Sequence, residues 1–119
     1  MTVSPEFIDY LHDQFARFGP ISVRRMFGGG GVFHQGVMIG LIAGEVLYLK
    51  VDDRNRPDFE AAGMGPFTYD GKGKPMQMSY FEAPPDVLED PDELATWATK
   101  AHEAALAGQK SKKRGQKKA

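Results

Sequence analysis

Cysteine is absent from the 119 residues, which removes disulfides, thiolate nucleophiles, Cys-rich zinc sites and iron–sulfur clusters together. The fold has to stand on packing alone. Also missing is an apolar run near the roughly 20 residues that a membrane span needs. The longest candidate, residues 37–51, is broken by Gly40, Gly44, Glu45 and Lys50. The opening Met-Thr-Val-Ser-Pro-Glu-Phe lacks the positive start and apolar stretch of a secretory signal. These absences predict a soluble, cytoplasmic protein with no membrane contact. There are no internal repeats, and a 41% hydrophobic content over 119 residues is enough for one core but not two.

The net charge of -1 conceals an asymmetry. Lys110, Lys112, Lys113, Arg114, Lys117 and Lys118 fall in the last ten residues, which contain no acid. Residues 1–109 then hold 9 basic against 16 acidic residues, a balance of −7. A basic run of this kind, interrupted by Ser111, Gly115 and Gln116, buries no apolar surface, so residues 109–119 are expected to be a disordered tail behind a domain of residues 1–108. Weak, sequence-blind contact with nucleic acid is the functional expectation for such a tail.

Ser4 followed by Pro5 marks a helix start, because the hydroxyl caps free N–H groups and proline suits the first turn. Phe7, Ile8, Leu11, Phe15 and Phe18 then recur at helical spacing, and Gly19-Pro20 ends the run. From Ile21 the period becomes two. Ile21, Val23, Arg25 and Phe27 fall on one face and Ser22, Arg24 and Met26 on the other, so the two arginines point apart. After a glycine run come Val32-Phe33, a turn at His34-Gln35-Gly36, a mostly buried strand over 37–43, a reversal at Gly44-Glu45 and a strand over 46–51. Asp52 or Asp53 is expected to cap a short helix over 56–62. Two strands around 67–69 and 76–81 flank a hairpin loop over 70–74. Pro84-Pro85 breaks the sheet, and Asp90-Pro91 opens a last helix whose buried stripe is Leu94, Trp97, Ala98, Ala101 and Ala105 and whose end is expected at Gly108. The order α-β-β-β-β-α-β-β-α predicts an α+β, two-layer domain: an antiparallel sheet with its helices on one side.

No constellation supports catalysis. The run Gly28, Gly29, Gly30, Gly31 lacks the Gly-Lys-Ser/Thr ending of a phosphate loop, and Phe33 stands where a dinucleotide fingerprint needs its third glycine, so a bulge or sharp bend is expected there. His12, His34 and His102 lie on separate elements without ligand spacing, and no metal is expected. Ser22 and Ser79 sit in strand contexts rather than a nucleophile elbow. No catalytic residue and no cofactor is assigned. Arg24, Arg25, Lys50, Lys72 and Lys74, with Tyr48, Tyr69 and Tyr80 nearby, are the candidate binding surface, either a basic, aromatic face or ordinary sheet-surface pairing with the abundant acids. The methionines at 26, 38, 64, 76 and 78 read as core filler or as an adaptable partner surface.

Together these residues resemble the N-terminal domain of the TfoX/Sxy family, bacterial regulators of competence genes. The matching pieces are Arg24-Arg25-Met26-Phe27-Gly28-Gly29, Gly40-Leu41-Ile42, Leu47-Tyr48-Leu49-Lys50-Val51-Asp52, Pro66-Phe67-Thr68-Tyr69, Gly73-Lys74, Met78-Ser79-Tyr80 and Trp97, in the family's order. The resemblance implies a two-layer domain with a fold like that of small secretion chaperones, and neither enzymatic activity nor a cofactor. Two departures stand out. Gly30 occupies a position where the family pattern leads one to expect a larger, often aromatic residue, and a basic tail stands where full-length competence regulators carry a second, C-terminal domain. The expectation is therefore a stand-alone regulatory module, touching transcription or competence, that holds a protein partner. The alternatives are nucleic-acid binding through the tail and a small-molecule enzyme with a pocket at the glycine bend. An exposed sheet face and the likeness to small chaperones leave room for a homodimer, with an edge-protected monomer as the alternative.

Overall fold

The computed structural model describes residues 3–26, 29–71 and 74–117, with side chains described outside 69–71, 74–77 and 110–117. Its elements are α1 (Pro5–Gln14), β1 (Ser22–Met26), β2 (Gly29–His34), β3 (Val37–Ala43), β4 (Val46–Lys50), α2 (Arg56–Ala61), β5 (Pro66–Gly71), β6 (Lys74–Glu82), α3 (Pro85–Leu88) and α4 (Pro91–Lys117). The strands form one antiparallel six-stranded sheet in the order β1-β2-β3-β4-β6-β5. This is the α+β arrangement that the periodicities predict, with one short helix added.

α1 begins as its sequence dictates. The Ser4 hydroxyl accepts from the Phe7 N–H at 3.1 Å and donates to Glu45 Oε2 at 2.8 Å, so one side chain caps the helix and ties it to the β3–β4 turn. Leu11 and Phe15 are fully buried, and Phe7, Ile8 and Phe18 pack around them. In the sheet, positive φ at both Gln35 (52°) and Gly36 (79°) closes the β2–β3 hairpin in the turn whose twist matches its strands. A bulge follows at once. Val32 pairs with Gly40 and Phe33 with Met38, which leaves Ile39 as the extra residue on β3. That extra residue lets Ile39 and Ile42 both enter the core, three positions apart, while Leu41 turns to the opposite face.

The glycine run is not the bend it was expected to be. Gly29, Gly30 and Gly31 are strand residues of β2, all three paired with β1 and the last two also with β3, whereas residues 27 and 28 lie outside the described chain. The reason is close approach: a Cβ on Gly29 would stand 2.1 Å from the Ile42 carbonyl oxygen, and one on Gly31 would stand 3.0 Å from both Met26 Cε and Phe33 Cε1.

The entry to α2 also departs from expectation. Neither aspartate caps it; Asp52 instead accepts from the Arg54 N–H at 2.9 Å and from its guanidinium at 2.8 Å, which pulls the Asp52 carboxyl below its ordinary value. Asn55 organises the segment. Only 2% exposed, it accepts from the Asp52 N–H at 2.8 Å and donates to the Lys50 carbonyl at 3.0 Å, satisfying two main-chain groups where β4 turns into the helix. β5 and β6 run further than expected, to Gly71 and from Lys74, so the connection is shorter than a five-residue loop. Pro84-Pro85 ends the sheet but also starts α3, because Pro85 occupies a first-turn position where no N–H is needed.

α4 is opened by Asp90, whose carboxylate accepts from the Asp92 and Glu93 N–H groups at 3.0 and 3.3 Å. Leu94, Ala98, Ala101, Ala104 and Ala105 are buried, and α4 lies against β3 and β4. Trp97 packs edge-on to Phe59 at 4.8 Å. The helix does not end at Gly108 but continues to Lys117. An interior glycine costs only about 1 kcal/mol relative to alanine, and the flanking Gln109, Lys110, Lys112, Lys113 and Arg114 are good helix formers with no proline among them.

Beside this helix sits a histidine pair. His34 is 8% exposed and donates through Nδ1 to the Pro20 carbonyl at 2.7 Å, since a carbonyl only accepts. Its ring lies 4.4 Å from Phe18 and 5.0 Å from the ring of His102 on α4, whose Nε2 is buried without a hydrogen-bond partner. Desolvation, and then repulsion from His34, lowers the His102 pKa, with only Glu103 opposing.

Two expectations follow from this packing. Asn55→Ala strands two buried main-chain groups and should cost about 2–3 kcal/mol in urea unfolding, whereas Asp53→Ala, on the exposed neighbour, should change stability by less than about 0.5 kcal/mol. For His102 the sign is set by the folded value lying below the unfolded one near 6.5. The His102 contribution to stability is then complete above about pH 6.5 and is lost as the pH falls from there through the folded value, because the unfolded chain takes up a proton that folded His102 resists. Unfolding of the wild type and of His102→Leu at pH 7.5 and pH 5 should show the smaller acid loss in the variant; equal losses would remove His102 from the account.

Candidate functional site

The five cations and three tyrosines of the candidate surface do not all meet. Arg24 is exposed on β1 and its guanidinium lies 5.0 Å above the Phe33 ring. Arg25 turns to the helix side and donates to the Val3 carbonyl, closing the N-terminal segment onto the sheet edge. The period-two reading of that strand, with the arginines pointing apart, describes both. Lys50 Nζ stands 5.1 Å above the ring of Tyr80 on the neighbouring β6, and burial raises the Tyr80 pKa. Lys72 lies outside the described residues, as do the side chains of Tyr69 and Lys74. Arg24 and Lys50 therefore share a face but stand on β1 and β4, three strand positions apart.

What does assemble is the sheet face opposite the helices. The core takes Val32, Ile39, Ile42, Leu47, Leu49 and Phe81 from the strands, together with Leu11, Phe15, Phe59, Val87, Leu94 and Ala98 from the helices. Alternation then sends Phe33, Met38, Leu41 and Tyr48 the other way, where they remain half-buried. Tyr48 meets Phe67 edge-on at 5.1 Å. Met26, Met38 and Phe33 close over Gly31, so the space above that glycine is already taken. Leu41 and Phe67 stand in pieces of the family pattern and Phe33 in the strand after the glycine run, but none of the three is among the residues expected to form a binding surface. A signal existed for Leu41, but only the bulge at Ile39 reveals which way it points.

The pairing register gives this face a polarity. Arg24 lies opposite Gly31, Gly31 opposite Leu41, Leu41 opposite Tyr48, and Tyr48 opposite Glu82. One row thus crosses five strands, with a cation at one end, an anion at the other and apolar or aromatic groups between. Partial burial, and then the charge of Glu82, raises the Tyr48 pKa, which keeps the phenol neutral. Among the described residues neither Arg24 nor Glu82 has an ion-pair partner; the salt bridges there join Arg17 to Asp92, Arg54 to Asp52, Arg56 to Glu60 and Lys100 to Asp58.

Other arrangements carry less chemistry. In a depression lined by Val51, Asp52, Asp53, Arg56, Pro66, Met78, Ser79 and Phe81, Asp52 is engaged by Arg54 and Arg56 by Glu60 and the Phe81 ring. Among the described residues no three His, Asp or Glu side chains converge as a metal site requires. Nor, among them, is any helix long and apolar enough to cross a membrane.

No curated protein matches the chain. The family model of the TfoX N-terminal domain matches residues 13–105, which span α4 up to its buried Ala105 and every strand of the sheet. With the antiparallel sheet and its one-sided helices, that match shows that this chain belongs to the TfoX N-terminal domain family, a family of regulatory, competence-related domains.

Proposed function

We propose that this chain is a cytoplasmic, non-enzymatic regulatory module whose working surface is the open face of its sheet, where it holds a protein. The observation that supports the reading is the half-buried cluster of Phe33, Met38, Leu41, Tyr48 and Phe67, framed by Arg24, Lys50 and Glu82. A contiguous apolar patch with a charged rim is the anatomy of a protein interface, and the methionines let it adapt to the shape it meets. The link to competence comes from the family and not from any geometry seen in this chain.

A photoreactive phenylalanine analogue placed at Leu41 tests the reading inside the cell. Protein adducts are expected from position 41 and not from Thr99, which is exposed on α4; absence of adducts from 41 would overturn the open face as the working surface.

A second reading is favoured by α4 itself, which carries Lys110, Lys112, Lys113, Arg114 and Lys117 on a helix that continues past the folded body. If this segment meets DNA, each neutralised phosphate releases counterions, so binding is sequence-blind, with Kd on the order of 10⁻⁴ to 10⁻⁶ M at physiological salt, and falls steeply as salt rises. The body's balance of −7 opposes the contact at longer range and makes the cations necessary to it. Electrophoretic shift of two unrelated duplexes at two salt concentrations should be lost on truncation after Gln109. Selective binding that survives truncation would move the nucleic-acid site to the folded domain.

A further inference from the structure

We infer that the occupant of the open face is a second copy of this chain, docked face to face about a two-fold axis that runs along β3 through Leu41. The inference rests on the open-face reading and names its partner.

The row of residues across the sheet carries the argument. Arg24 on β1 and Glu82 on β6 are separated by four strand spacings, about 19 Å, which is beyond the combined reach of the two side chains, so they cannot pair within one copy. A two-fold rotation about an axis along the central strand of the row reverses its order. Arg24 then stands over Glu82 of the second copy, and Glu82 over the second copy's Arg24. Tyr48 comes to rest on the Met26 and Met38 thioethers that roof Gly31, a favourable sulfur–aromatic contact, and Leu41 meets itself on the axis. The sequence of groups, cation, methionine roof, leucine, tyrosine, anion, is its own complement when read backwards. A two-fold interface demands this property and a heterologous partner does not.

Scale agrees with the arrangement. Packed sheets lie about 10 Å apart with their strands within about 30°, a gap that an arginine and a glutamate can span between them. Six strands of five to nine residues give a flat face of roughly 600 Å² per copy by strand spacing and rise. That area reaches the lower range of stable interfaces, near 600 Å² a side. A dissociation constant in the tens of micromolar is the expectation.

The test is charge exchange, read by sedimentation equilibrium on the full chain from about 5 to 300 µM. Wild type should self-associate to a dimer. Arg24→Glu alone and Glu82→Arg alone each set like charges against one another and should weaken association about tenfold or more. Arg24→Glu combined with Glu82→Arg restores opposite charges in exchanged positions and should recover the wild-type constant to within about threefold; since these are surface positions, that recovery also shows that the single variants fail by charge and not by misfolding. Because the chain has no cysteine, Leu41→Cys supplies an independent reading: a short bis-maleimide should join two copies at position 41 but not at a cysteine placed at Thr99. A monomer throughout the range, or a double variant no better than either single one, would overturn the inference. In that case, cellular adducts from position 41 to a different protein would leave the open-face reading standing, and a monomer that gives no adducts would end both.

Discussion

The structure depends on the contact between the small-residue stripe of α4 and strands β3 and β4. Ala98, Ala101 and Ala104 bring the helix close to the sheet, and Leu94 fills the space at its acidic start. Every other helix is set by that contact. α1 joins through Gln14, which donates to the Leu88 carbonyl at the end of α3. α2 joins through Phe59, wedged between Phe81 on the sheet and Trp97 on α4, and through Lys100, which meets Asp58 at 2.8 Å. With four helices gathered on one face, the sheet has one dry side and one side left to whatever the chain meets.

That asymmetry ties the fold to the function. A two-layer domain of this size buries one face of its sheet well and has no material for the other. The open face then keeps aromatic and methionine side chains only if contact with something else rewards them, because a face destined for water tolerates lysine, threonine and glutamate equally well. The catalytic alternatives have no comparable support. The glycine-rich strand is packed on both faces, by Val23 and Ile42 on one and by two methionines and Phe33 on the other.

Much of this was legible in the residues themselves. Ser4-Pro5 and Asp90-Pro91 cap their helices as the sequence leads one to expect, the apolar stripes of α1 and α4 are buried as their spacing requires, and the alternation in β1 separates Arg24 from Arg25. The failures have identifiable physical causes. The bulge at Ile39 shifts alternation by one residue, and no local pattern in the mostly buried strand over 37–43 marks it. Asn55 outcompetes two aspartates because it can donate as well as accept, and the Lys50 carbonyl needs a donor. Glycine at 108 is too weak a terminator among helix-forming neighbours. The row from Arg24 to Glu82 depends on β4 pairing with β6, which no local pattern encodes.

That last pairing also governs how the chain reaches its fold. β1 to β4 form a meander of sequential neighbours, and β5 with β6 forms a hairpin; each can close over a short loop. The junction between them, Leu49 against Phe81 and Lys50 against Tyr80, spans the intervening helix and hairpin strand. Closing a loop of about thirty residues costs about 3 kcal/mol in chain entropy by the logarithmic law. Asn55 lowers that cost by fixing the direction in which the chain leaves β4. The sheet is thus assembled from two locally formed halves joined at one seam, and mutations at the seam would be felt in the rate of folding before they were felt in either half.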